Sequence, residues 1–200
     1  MAMTSSVLRK GLLTLACVLG LSACLTSDPP KLDAEDLSTP KGIAGSYYAT
    51  KFSNEESEGP DTVDGVVEAM PDRTYRLTLI EGDHKDAPIV IRLLTLNDGR
   101  LLAALNEIDK DLTVYATVTF ASNGAWVFRL VNLAPAARSR TVREAMMRHG
   151  ATGVKFDQSQ HPDDAIAGQL TAANLRALFS DRDFLNALED AGGFRLSPKP

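Results

Sequence analysis

The chain has 200 residues, of which 44% are apolar and 24% charged, and its formal net charge is −5 at pH 7. That composition excludes a disordered chain and a multi-span membrane protein, and it fits one globular domain, alone or with a small extension. The acidic balance disfavours nucleic acid and anionic headgroups as partners, because the surface field repels both.

Arg9 and Lys10 precede an apolar run of eleven residues, Gly11 to Leu21, and small residues follow it up to Cys24. A helix that crosses the hydrocarbon core needs about 20 apolar residues. The run is too short for that, and it reads as the positive and apolar regions of a signal peptide. Leu21-Ser22-Ala23-Cys24 resembles the lipobox of bacterial lipoprotein precursors. The resemblance implies cleavage between Ala23 and Cys24, a diacylglyceryl group on the Cys24 sulfur, and acylation of the new amino group. Two or three acyl chains hold a protein firmly in a membrane, at about 0.8 kcal/mol per buried methylene. In that family an Asp after the Cys favours the inner membrane, so Leu25 points to the outer membrane of the cell envelope. Loss of residues 1–23 removes two positive charges, from −5 to −7, and removes Cys17, so the mature chain forms no internal disulfide.

Residues 25–42 carry Pro29, Pro30 and Pro40 among Ser, Thr, Asp and Lys, which reads as a flexible tether with an end-to-end distance of about 21–25 Å. A β-domain is expected over 43–133. Short β-branched and aromatic runs, broken by turn signals, predict seven strands near 45–52, 62–69, 73–80, 88–96, 101–107, 112–121 and 125–132. Pro71-Asp72, Asp98-Gly99 and Asn123-Gly124 mark turns.

Register decides which side chains share a face. A three-residue loop Ser122-Asn123-Gly124 sets Phe120 against Trp126, Val118 against Phe128 and Ala116 against Leu130. It leaves Thr117 and Arg129 on the other face, and it requires positive φ at Gly124. Ile89 to Leu96 is apolar on both faces, which suggests a central strand. Short links imply an antiparallel meander, forming either a curved sheet or a partly closed barrel. The fold class is therefore mainly β (α+β), with a C-terminal helical cap.

The cap is expected over 134–200. Thr141-x-x-Glu144 reads as a capping box and Gly150 as a stop, with a short extended piece near 154–156. Thr171 reads as a second N-cap and Ser180-x-x-Asp183 as a third helix start ending at Gly192, with Leu175, Leu178, Phe179, Leu185 and Leu188 turned inward.

His84, His149 and His161 fit no metal-binding or catalytic spacing, and nucleotide-binding and hydrolase motifs are missing. Glu55-Glu56 and Asp163-Asp164 read as solvated pairs, and Arg138, Arg140, Arg143 and Arg148 as a basic, solvated helix face. Gly45-x-Tyr47-Tyr48 resembles the G-x-W start of lipocalins, whose eight-stranded barrels hold small apolar ligands. That resemblance implies Tyr47 and Tyr48 as ligand-binding candidates. The expected role is a non-catalytic binding or scaffold domain, anchored through Cys24 and facing an envelope protein, with no cofactor, metal or nucleic acid. A lipocalin-like carrier of a small hydrophobe is the alternative, and an unrecognised hydrolase the third reading.

Overall fold

The computed structural model describes residues 25–52, 62–108, 112–133, 140–151, 155–156, 165–167 and 169–200. A short strand β1 (Leu25–Ser27) comes first. A meander follows: β2 (Gly45–Phe52), β3 (Thr62–Ala69), β4 (Tyr75–Glu81), the two-residue β5 (His84–Lys85), β6 (Ile89–Thr95), β7 (Leu101–Glu107), β8 (Thr113–Phe120) and β9 (Trp126–Leu133). Then come α1 (Arg140–Arg148), β10 (Lys155–Phe156), β11 (Ala165–Ala167), α2 (Ala172–Leu178), α3 (Arg182–Leu185) and β12 (Leu188–Pro198).

A meander of seven strands cannot close with every neighbour antiparallel, because its first and last strands run the same way. Here β2 and β9 run the same way, and β12 fills the gap between them. Leu196 lies opposite Ala49 on β2 and opposite Trp126 on β9, antiparallel to both. The order β2-β3-β4-β6-β7-β8-β9-β12 therefore returns to β2. The expected seven-stranded meander is corrected to a closed antiparallel barrel of eight strands.

Its eighth strand falls in the stretch read as helical up to Gly192. A glycine does stand near that point, for a different reason. A Cβ on Gly193 would overlap the Phe128 carbonyl oxygen and lie 3.0 Å from its carbonyl carbon, so the strands meet there only without a side chain. The register shifts between Asp190 and Gly193. Beyond it, buried Phe194 and Leu196 alternate with exposed Arg195, and the Phe194 ring stacks on Phe128 at 4.5 Å.

The barrel wall has a core on each side. Inside, Tyr47, Leu77, Ile91, Ala103, Phe128 and Leu196 belong to one cluster supplied by all eight strands. Outside, Leu94, Leu102, Tyr115 and Val131 are buried with Leu25 of β1, Met146 of α1, Leu175 and Leu178 of α2, and Phe184 of α3. This second core explains why Ile89 to Leu96 is apolar on both faces: Ile91 and Leu93 point inward, whereas Leu94 lies under the helical cover.

Three tight turns at one end of the barrel share a single design. In each, a residue's N–H donates to the carbonyl four positions on: Met70 to Thr74 at 2.9 Å, Leu96 to Arg100 at 2.8 Å and Ala121 to Ala125 at 2.8 Å. The central Asp72, Asp98 or Asn123 accepts from the N–H two residues later. The third loop residue takes the left-handed conformation: Arg73 at φ 66°, Gly99 at 84° and Gly124 at 80°. In the last hairpin the observed pairs are Phe120 with Trp126, Val118 with Phe128 and Ala116 with Leu130, as the sequence pattern requires.

The helices differ from expectation at two starts. The first begins at Arg140, so Thr141 lies inside it, and Glu144 bonds Arg140 at 2.6 Å. The third is capped by Asp181, which accepts from the Asp183 N–H, while the Ser180 hydroxyl turns back to the Arg176 carbonyl. Thr171 caps the second helix in a reciprocal box with Asn174. Gly150 follows the first helix at φ 87°.

Candidate functional site

The segment read as a tether is laid onto the barrel from its first described residue. β1 pairs in parallel with β11, Leu25 opposite Ala165 and Ser27 opposite Ala167. On its other edge it is antiparallel to β8, with Thr26 opposite Val114 and Ser27 opposite Thr113. The chain then continues as a strap. The Lys31 N–H donates to the Leu170 carbonyl at 2.8 Å, Arg73 holds the Ala34 carbonyl at 2.8 Å, and Arg176 meets Asp36 at 3.3 Å. Next, Leu37 bridges to Leu94 and the Ser38 N–H donates to the Leu93 carbonyl. The strap ends at Ile43, which is buried in the inner core at the end of the barrel that carries the three tight turns. Leu25, Leu32, Leu37 and Ile43 give this stretch an apolar residue every five to seven positions, a signal that average composition hides.

Where β1 joins β8 the seam is polar and buried. Ser27 donates its proton to the Asp28 carbonyl at 2.6 Å, so it accepts from the Tyr115 hydroxyl at 2.7 Å. Both side chains are fully buried. Burial pushes the Tyr115 phenol up to about 12, and the bond to Ser27 offsets only part of that effect. The neighbouring Thr113 hydroxyl is buried with no partner among the described residues. Nothing in the residue pattern marked Ser27 and Tyr115 as a pair, because they lie 88 positions apart.

Tyr47 and Tyr48, the ligand-binding candidates, lie on opposite sides of the wall. Tyr47 points inward and shares its hydroxyl proton between the Gly42 and Ile43 carbonyls at 2.9 and 2.8 Å. Tyr75 does the same with the Pro40 carbonyl at 3.2 Å. Tyr48 points outward, with the Lys199 ammonium 4.9 Å from its ring centroid. The two inward tyrosines thus hold the strap at the barrel mouth. Next to the 121–125 turn the Trp126 indole N–H is buried without a partner among the described residues, and the exposed Phe120 ring packs edge-on against it.

Of the histidines, His84 is exposed in the β4–β5 hairpin, 3.4 Å from Asp86. His149 bonds the Asp181 carboxylate at 2.8 Å, and Arg148 lies 3.7 Å from Asp181 and 3.6 Å from Asp183. Burial opposes ionisation of Asp181. The bonds from His149 and from the Asp183 and Phe184 N–H groups, with the Arg148 charge, outweigh it and hold the carboxyl below its usual range. The cluster locks the end of α1 to the start of α3. It also neutralises part of the basic face expected on α1. Cys24, Ala23, His161, Arg138, Glu55-Glu56 and Asp163-Asp164 lie outside the described residues. Among the described residues no group of three His, Cys, Asp or Glu could hold a metal, and no helix is long and apolar enough to cross a membrane. Comparison with protein-family models, with curated proteins and with solved structures finds no match.

Proposed function

We propose that this chain is the precursor of a lipid-anchored envelope lipoprotein whose barrel is a non-catalytic binding or scaffold module, held by Cys24 to a membrane of the cell envelope. The observation that carries the reading is the position of β1. Leu25, the residue next to Cys24 of the lipobox Leu21-Ser22-Ala23-Cys24, is already paired in β1, so cleavage before Cys24 would leave every described strand in the mature chain. The lack of Asp at position 25 favours the outer membrane. The module reading is supported by the interior, where side chains from every strand meet in one core and Ile43 sits in the mouth. An envelope protein would find its surface on the outer wall of β2, β3 and β12, where Tyr48, Glu68 and Arg195 are exposed.

Replacing Cys24 with Ala tests the anchor. The wild-type protein should stay with membranes through a high-salt wash and carry acyl chains by mass spectrometry, and the variant should be released. A variant that stays behind would overturn the reading. The second reading, a lipocalin-like carrier, is favoured by the eight-strand count and by the Trp126 N–H, which has no partner among the described residues and from which a ligand oxygen could accept. Solvent extraction of protein purified from membranes decides between them: a small hydrophobe recovered in one-to-one ratio, beyond the covalent acyl chains, supports the carrier.

A further inference from the structure

We infer that the barrel lies directly on the bilayer surface, its helix-covered side against the headgroups and its β2–β3 wall turned away. The inference rests on the lipid-anchor reading and adds a geometry to it. Leu25 is fully buried in the outer core, and β1 is paired along both edges. Adjacent Cα atoms are about 3.8 Å apart, so an acylated Cys24 has no slack chain between its thioether and the fold. The interfacial zone on each side of a bilayer is only about 5–8 Å deep. A domain joined to it by one peptide unit cannot stand clear, whereas a flexible tether over 25–42 would lift it by about 21–25 Å.

The strand order says which side faces down. β1 lies on the outer wall at β8, in the same buried cluster as Met146, Leu175 and Phe184 of the three helices. In the ring of eight strands β3 is four strands from β8 in either direction, which makes it the far wall. Strand spacing and tilt give such a ring a backbone diameter of about 16 Å. The apposition comes from covalent geometry rather than from charge: Arg140 is paired with Glu144, and Arg148 with Asp181 and Asp183. It should therefore be insensitive to salt.

The experiment uses the acylated full-length protein in vesicles of phosphatidylethanolamine and phosphatidylglycerol that carry a headgroup nitroxide. A single new thiol is labelled with a fluorophore at Asp28→Cys or Gln169→Cys on the covered side, or at Glu68→Cys on β3; all three positions are exposed. Quenching at positions 28 and 169 should be at least about twice that at 68, since only the former sit within reach of the headgroup layer. High salt should leave that ratio unchanged. Twelve Gly and Ser residues inserted between Cys24 and Leu25, an extension of about 17–21 Å, should equalise the three sites. Equal quenching without the insertion, or stronger quenching at 68, in protein whose acylation is confirmed by mass spectrometry overturns the apposition and leaves the anchor standing. An unacylated Cys24 overturns both.

Discussion

Gly193→Ala should open the barrel at its last seam. Gly193 lies opposite Phe52 on β2 and Arg129 on β9, and the added methyl would overlap the Phe128 carbonyl. Relief requires β12 to move off β9. About two ladder hydrogen bonds at roughly 1 kcal/mol each and the Phe128–Phe194 stack, worth about 0.5–1.5 kcal/mol, would be lost. The sum is about 2.5–3.5 kcal/mol, or about 5–14 °C in Tm for a domain of this size.

Gly65→Ala is the matched control. It is also buried in a strand, but a Cβ there meets Leu77 at 3.5 Å and Ala49 and Leu79 at 3.7 Å, all ordinary contacts. Less freedom in the unfolded chain, about 0.4–1 kcal/mol, and one buried methyl, about 0.8 kcal/mol, should make this variant more stable. Urea unfolding, followed through the emission of Trp126, the sole tryptophan, reads both changes as shifts in midpoint at constant slope. A Gly193→Ala protein within about 0.5 kcal/mol of the wild type, the range of a neutral surface change, would mean that β12 does not seat against Phe128 and that the closure is wrong.

Gly99→Ala should cost about 1–2 kcal/mol by thermal unfolding, because φ is 84° and no neighbour lies within 4 Å of the new methyl, which isolates the left-handed penalty. Asp181→Ala should cost about 1 kcal/mol for the lost cap alone. Because the Asp181 carboxyl is held below the usual range of an aspartate, its contribution is present above that range and is lost as pH falls through the lowered folded value; urea melts at acid pH should show a flatter acid limb in the variant. Tyr115 works in the opposite direction. The folded chain keeps a phenol proton that the unfolded chain gives up, so stability should fall as pH rises from 10.0 toward about 12, a span that corresponds to about 3 kcal/mol. Melts of Tyr115→Phe should lack that alkaline loss.

Where neighbours in sequence are neighbours in space, the chain was readable. The β8–β9 register follows from one requirement, that Phe120, Val118 and Ala116 share a face with Trp126, Phe128 and Leu130, and two strands joined by three residues meet it in one way. The turns were marked by Asp72, Asp98, Asn123 and the glycines after two of them. Arg73 was not marked, because its left-handed backbone is imposed by the turn that Asp72 sets up rather than invited by its own side chain. The strap was misread because averages count Pro, Ser and Asp and miss four spaced apolar anchors. Of the candidate residues, Tyr47 and Tyr48 were legible only as a pair named by resemblance, without the opposite faces that the strand gives them. The use of Tyr47 to hold the Gly42 and Ile43 carbonyls was not legible either.

By itself the sequence determined seven of the eight strands, the three tight turns and the helix cap at Thr171, all of which depend on contacts within a few residues or on one hairpin. Tertiary structure alone decided that β12 closes the ring, that Gly193 is required at the seam, and that residues 25–43 run from wall to mouth. Those outcomes depend on strand direction and on pairs such as Ser27 with Tyr115, in which neither partner carries local information about the other; only an antiparallel ring with an even number of strands and two faces to cover brings them together.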